Sequence, residues 1–222
     1  MEFLNLPMML IVIGALLSAF GAFLATYRQN QEQIKSANQR VEFESALRAK
    51  SDEIAELNKT IAASITGGDS FCYYSLTNFG TDSAIASVLP EGNYPLYDVV
   101  IRIADVEDLI EVSKNPSLTV EEILSKDKVL NLGNLSGKQA VLLGTVKLPH
   151  SDNIRYSISI TARNGMFGEE IRLKKVKGVW KSAMKVTRIN SSGETPDAPD
   201  TLLKEFVDPD FPRNKDGQVD WE

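Results

Sequence analysis

Three short stretches hold residues with the means for chemistry. In "PHSDN", Pro149 to Asn153, histidine, serine and aspartate stand side by side, the three side-chain types of a hydrolytic triad. A triad needs its members to converge from separate parts of a fold, with the base held between nucleophile and acid. Neighbours in a proline-flanked loop cannot all point inward, and Pro, Ser, Asp and Asn are the residues that turns favour, so the stretch reads as a turn. In "ITGGDSFCYY", Ile65 to Tyr74, two glycines suggest a phosphate loop and the only cysteine suggests a nucleophile. In "DPDFPRNKDGQVD", Asp208 to Asp220, oxygen ligands cluster as in a calcium loop. If Asn214 and Asp216 take its third and fifth positions, Pro212 falls where the first aspartate is needed, and Asp216 with Gly217 reads as a tight turn.

Position decides the glycine stretch. A phosphate cradle puts its glycines ahead of a helix, where free N–H groups and the positive dipole end face the anion. Here Gly67 and Gly68 follow the last periodic residue of a helical pattern, where a left-handed glycine ends a helix. Gly67, Gly68 and Asp69 are therefore a helix-to-domain junction. Cys72 follows in a β-prone run between Phe71 and Tyr73, with no histidine nearby to activate it, and reads as a small buried hydrophobe. A single cysteine allows no intrachain disulfide framework and no cysteine-based zinc site. The expectation is no enzyme: no catalytic, cofactor-binding or metal-ligating residue.

The elements that position the junction are of three kinds. At 222 residues, with 43% apolar and 24% charged residues, the chain is able to fold a core in one or two domains. Residues 190–222 hold three Lys or Arg against nine Asp or Glu, which accounts for the whole net charge of −6. A neutral body with an acidic tail has no basic face for nucleic acid.

Phe3 to Ala25 carries no charge and, at about 1.5 Å per residue, forms a helix of roughly 35 Å, enough to span the hydrocarbon core. The rival reading is a cleaved signal peptide with Ala19 and Gly21 as small residues before a cut; Glu2 stands where such a leader wants Lys or Arg. Gly14, Ser18 and Gly21 form a small-residue stripe that suits close helix packing, although small residues are common in such helices. Arg28, Lys35 and Arg40 follow the span and none precedes it, which places the body on the cytoplasmic side.

Tyr27 to Ile65 has neither Pro nor Gly and continues as a helical stalk. Ile34, Ala37 and Val41 give one heptad-like run; Leu47, Ile54, Leu57 and Ile61 give another, with Lys50 in a core position and a phase slip near Phe43 to Leu47. Such a stripe must be buried on a partner copy or on the chain's own domain. Self-association through Leu47, Ile54, Leu57 and Ile61 is the preferred solution.

From Ser70 to Ile189 strands alternate with turns. "IRYSISITAR" places Ile154, Tyr156, Ile158, Ile160 and Ala162 on one face, and Asn164–Gly165 and Lys177–Gly178 mark hairpin turns. Seven or eight strands are expected, from the candidates Phe71 to Thr77, Ala84 to Leu89, Tyr97 to Ala104, Val129 to Leu132, Ala140 to Leu148, Ile154 to Arg163, Phe167 to Val176 and Val179 to Ile189. They predict an all-β, immunoglobulin-like sandwich. The insertion Val106 to Asp127 carries a capping box, Thr119 with Glu122, and a short helix with Leu118, Val120, Ile123 and Leu124 on its apolar face. Asp98 and Arg102, four apart on one strand, read as a surface pair. The domain plan is thus a transmembrane helix over 1–26, a stalk over 27–66, a sandwich over 67–189 and an acidic, largely flexible tail over 190–222.

The strings "ELNKTIAASITGGDSFCY", "NYPLYDVVIRIAD", "ARNG" and "GVWKSAMKVTR" resemble a family of small bacterial single-span membrane proteins with a helical stalk, a TGGDSFCY-type junction and a β-rich domain. That family has no established activity, so the resemblance implies an architecture and a bacterial inner membrane, and no site residues. Two functions fit the reading: a membrane-anchored, non-enzymatic interaction or scaffolding module that self-associates through its stalk and binds a protein partner, or a ligand-sensing or accessory subunit of a larger membrane assembly.

Overall fold

The computed structural model describes residues 6–114, 119, 121–122, 125–190 and 199–221. They form two compact units, 1–59 and 60–222. The first is helix: α1 runs from Leu6 to Thr66, and its last turn belongs to the second unit. Its apolar N-terminal part is long and apolar enough to cross a membrane, and Met8, Leu16, Phe20 and Phe23 are exposed along it. The expected start of the span at Phe3 lies outside the described residues. No proline interrupts α1 after Pro7 and no glycine after Gly21. The run of Gln, Glu, Lys, Ala and Arg that follows has the propensity to continue it.

The second unit is a β-sandwich. Its strands are β1 (Phe71–Thr77), β2 (Ser83–Glu91), β3 (Leu96–Asp105), β4 (Lys128–Leu135), β5 (Val141–Lys147), β6 (Asn153–Ala162), β7 (Gly165–Val176), β8 (Val179–Ile189) and β9 (Thr201–Val207), with helix α2 (Val106–Ser113) between β3 and β4. A three-stranded sheet, β1-β2-β5, packs on a six-stranded one, β4-β3-β6-β7-β8-β9; every pairing is antiparallel and neither sheet closes on itself. The chain crosses between the sheets after β2, after β4 and after β5. One core joins them: Tyr74, Leu76, Ala86 and Val88 from the narrow sheet meet Ile101, Ile158, Phe167 and Leu173 from the wide one. The alternation in β6 reads out as expected, with Ile154, Ile158, Ile160 and Ala162 buried and Tyr156 half-buried. Cys72 is fully buried. Its thiol is pushed up to about 12 by burial and then by the carboxylate of Glu169, which leaves it no thiolate to react.

Several expectations are corrected. The β6–β7 loop is Arg163–Asn164, one residue earlier than read, because Ala162 pairs with Gly165. Asp98 and Arg102 do not pair with each other: a register shift between Leu96 and Val100 leaves Asp98 at φ 56°, bonded to Arg163, while Arg102 reaches Asp127. Such a bulge breaks the period of two on which the pairing was inferred. The insertion's first helix is α2, whose N–H at Glu107 is capped by the side chain of Asp105. The capping box of Thr119 and Glu122 forms, with Thr119 N–H donating to Glu122 at 2.8 Å and Glu122 N–H to Thr119 Oγ1 at 3.3 Å. Leu118, Val120, Ile123 and Leu124 lie outside the described residues.

The largest difference is at the C-terminus. Over 199–221 the acidic segment is built into the domain: β9 pairs with β8, and Phe211 and Val219 pack on Ala183. The reason is a basic outer face on β7 and β8. Arg172 donates to the carbonyl of Trp221, Lys185 lies 4.9 Å from the Trp221 ring, and Lys181 pairs with Asp210 at 3.0 Å. Acidic composition pointed to solvent, but opposite charge and three apolar anchors bring the segment home.

Glu169 ties the sheets at the centre. It sits on the inner face of β7, 1% exposed, and accepts the Tyr74 N–H of β1 at 2.7 Å, while its other oxygen has no partner among the described residues. Burial raises its carboxyl well above the ordinary range, and the single N–H bond offsets only part of that. A folded-state pKa above the unfolded one means the native state holds the extra proton, so stability is greatest below the unfolded value and falls as pH rises through the window above about 4.5. Thermal melts of the full chain in detergent should therefore show a falling Tm between pH 5 and pH 8. In Glu169→Gln that slope should flatten; an unchanged slope would place the titrating group elsewhere.

Candidate functional site

The residues that converge most closely lie at the helix-to-domain junction. The last turn of a helix leaves carbonyls without intrahelical donors, and here the β domain supplies them. Gly67 N–H returns to Ala63 O at 2.8 Å, the local bond of a glycine-terminated helix. Tyr97 of β3 donates its hydroxyl to Ser64 O at 3.0 Å, and Arg163 of the β6–β7 loop reaches Ile65 O at 3.4 Å. Beyond the helix, Ser70 N–H donates to Gly67 O at 3.0 Å. Asn164 Nδ2 donates to both Gly68 O, at 3.1 Å, and Ser70 O, at 2.6 Å, and Arg188 of β8 reaches Asp69 O at 3.4 Å.

Sterics make the two glycines obligatory. Gly67 and Gly68 have φ of 103° and 54°, which side-chain-bearing residues disfavour. A Cβ on Gly68 would lie 2.6 Å from the Tyr94 ring, and one on Gly67 would lie 3.2 Å from Pro95 O. A third glycine completes the joint: Gly92, at φ 118°, lets the backbone at Ser70 approach so closely that an added Cβ would sit 2.6 Å from Ser70 Cα. The Ser70 hydroxyl accepts Tyr94 N–H at 2.9 Å. Around this core Arg163 grips Asp98 at 2.8 Å and lies 4.9 Å from the Tyr97 ring, which aims its guanidinium at the helix end.

The arrangement is a hydrogen-bonded lock between the helix end and the wide sheet. Asp69 contributes its backbone carbonyl and its side chain is exposed. The other chemical stretches disperse. Ser151 Oγ bonds to Asn153 O at 2.7 Å and Asp152 turns to Lys175, so "PHSDN" is a turn. Asn214 Oδ1 accepts from Asp216 and Gln218 N–H with Gly217 at φ 77°, a tight turn as expected. Among the described residues no group of His, Cys, Asp and Glu is placed to hold a metal. On α1, Leu47, Ile54, Leu57 and Ile61 are each more than half exposed.

Compared with family models, curated proteins and solved structures, the chain matches none of them.

The sequence reads Asn164 only as a turn residue, and Arg163, Tyr94, Tyr97 and Arg188 only as strand and strand-flanking residues. A signal was present: "NYPLYDVV", "ARNG" and "KVTR" are the segments that, with the junction string, carry the resemblance, and all four meet at this point. The lock predicts unequal costs. Asn164→Ala removes two bonds to half-buried carbonyls and should cost about 1–3 kcal/mol, whereas Arg163→Ala, half-exposed, should cost less than about 1 kcal/mol. Gly68→Val should cost more than either, since it meets both the φ barrier and the Tyr94 ring. Denaturant unfolding of the full chain in detergent, followed by Trp180 and Trp221 fluorescence, measures all three; equal effects would refute the lock.

Proposed function

We propose that the chain is a membrane-anchored, non-enzymatic protein-interaction or scaffolding module that self-associates through its stalk, with its β domain on the cytoplasmic side of a bacterial inner membrane. The observation that carries the reading is the heptad-spaced stripe of Leu47, Ile54, Leu57 and Ile61, exposed along a helix whose last turn is bonded into the β domain. Exposed aliphatic side chains at this spacing gain on the order of 1.5 to 3 kcal/mol each on burial, and a membrane surface raises the effective concentration at which two copies meet. Lys50, paired to Glu53 at 2.6 Å on the helix surface, weakens the seam and makes the anchor necessary for a parallel pair.

The domain supports the same reading. The pairings β2–β5 and β3–β6 are those of strands B with E and C with F in an immunoglobulin-like sandwich, with β4 beside β3 and with β8 and β9 as additions. Such sandwiches commonly serve recognition, an analogy of fold alone. The sensor or accessory-subunit reading draws on one observation, the junction lock, which would pass a change in stalk packing to β3, β6 and β8.

Single cysteines at Ile54 and Leu57 in a Cys72→Ser background test the association in native membranes. Both should form interchain disulfides under mild oxidation, ahead of Glu56→Cys. Crosslinking at Glu56 with none at Ile54 or Leu57 would end the proposal. The orientation, drawn from Arg28, Lys35 and Arg40, is read by C-terminal fusions. A green fluorescent fusion should fluoresce and an alkaline phosphatase fusion should stay inactive; the reverse pair puts the domain outside.

A further inference from the structure

The six-stranded sheet is wider than the sheet packed on it. β1, the edge of the narrow sheet, lies over β7, with Phe71 against Phe167 and Tyr74 N–H on Glu169. β8 and β9 continue the wide sheet past it: on β8 the inward-facing Trp180, Met184 and Val186 are buried in the core, and on β9 Phe206 is exposed. They and the β1 edge enclose a groove of about 400 Å³. Its floor is Ile171, Leu173, Met184 and Phe206, and its wall is Tyr74 and Leu76; Phe206 is 48% exposed.

The wall offers backbone as well as side chains. Along an antiparallel strand the N–H and C=O of one residue point to the same side, and successive residues alternate. Tyr74 N–H goes to Glu169 and not to β2, so Tyr74 and Leu76 turn their backbone groups away from β2. Glu169 takes one amide; the Tyr74 carbonyl and the Leu76 N–H and carbonyl have no protein partner among the described residues. The charges at the rim are already matched. Lys204 pairs with Glu91 at 2.5 Å and lies 4.6 Å from the Tyr73 ring, and Asp208 accepts the Ser182 N–H at 2.7 Å. The groove thus presents unpaired strand edge, apolar floor and no unmatched charge.

We propose that this groove receives an extended peptide segment of a partner protein, added to β1 as a fourth strand of the narrow sheet, with its uncharged apolar side chains on the inward side seated against Phe206. Strand addition takes its affinity from main-chain bonds and its selectivity from alternate side chains, and both halves are present here. Unlike a pocket for a small ligand, the site supplies an edge whose free groups run in strand register. The proposal rests on the reading of the β domain as an interaction module, and it names the chemistry of the partner.

The test uses the full-length chain in lipid nanodiscs and three fluorescein-labelled octapeptides: alternating Thr and Val, the same with two central prolines, and alternating Thr and Asp. Fluorescence anisotropy should show saturable binding of the Thr–Val peptide. The proline and aspartate peptides should bind at least about tenfold more weakly, since one lacks strand amides and the other would bury charge. Phe206→Asp should weaken the Thr–Val peptide by at least about tenfold and Phe206→Ala by less, at unchanged melting temperature, because apolar contact on the floor is lost. Leu142→Lys, on the opposite edge strand β5, should change nothing. Equal binding of the proline peptide, loss of binding with Leu142→Lys, indifference to Phe206→Asp, or no saturable binding of the Thr–Val peptide would each overturn strand addition at this groove. None of these results bears on the disulfide test of the stalk, so the two proposals fail separately.

Discussion

A helix that ends at a β domain must find donors for its last carbonyls, and the domain here is organised around that requirement. The carbonyls of Ala63, Ser64, Ile65, Gly67, Gly68, Asp69 and Ser70 each accept a hydrogen bond, from Gly67, Tyr97, Arg163, Ser70, Asn164, Arg188 and Asn164 in turn. Two of these bonds are local, from Gly67 and Ser70; the other donors, Tyr97, Arg163, Asn164 and Arg188, come from β3, the β6–β7 loop and β8, three separate parts of the wide sheet's chain path. The junction therefore cannot form until the sheet has assembled, and a sheet with a different register would aim Asn164 and Tyr97 elsewhere. The bulge at Asp98 belongs to the same scheme. It turns that carboxylate outward to hold Arg163, which in turn points at Ile65.

Two kinds of buried polar group do different work. At the junction, Asn164 satisfies two backbone carbonyls with one amide, while its own Oδ1 is buried without a hydrogen-bond partner among the described residues. Between the sheets, Glu169 satisfies a single edge amide at the cost of desolvating a carboxyl whose other oxygen has no partner among the described residues. An apolar residue at position 169 would leave the Tyr74 N–H orphaned beneath the wide sheet, and a shorter acceptor would not span the gap between the sheets. The buried acid keeps β1 at the right height over β7, and the groove beside β1 exists because β1 stops there.

Much of this was readable from residue patterns. Alternation in "IRYSISITAR" and the Lys177–Gly178 turn located β6 to β8, and the glycines after the last periodic residue located the end of α1, because each signal is local. Asp98 with Arg102 misled because a bulge, invisible to period counting, moved one of them by a residue. β9 is not among the expected strands because "TLLKEFV" sits among acidic and proline-rich sequence, and its place in the sheet is set by pairing with β8 and by Lys204 reaching Glu91, 113 positions away. The roles of Asn164 and Arg163 were hidden for the same reason: their partners lie about a hundred positions away, and a turn residue looks the same whether its side chain meets water or a helix end.

The distribution of charge separates the two faces of the wide sheet. The outer face of β7 and β8 is basic, and the acidic C-terminal segment covers it, with Phe211, Val219 and Trp221 anchoring what ion pairs alone would hold weakly. The inner face beyond β1 carries matched charges and exposed Phe206. The described part of the acidic segment lies on the basic outer face, and the floor on the other side is apolar and would bury a charge at a cost. The tail's charge, which in composition looked like a solvated appendage, thus fills a site of its own kind and leaves the neutral groove as the face on which an uncharged strand would lie.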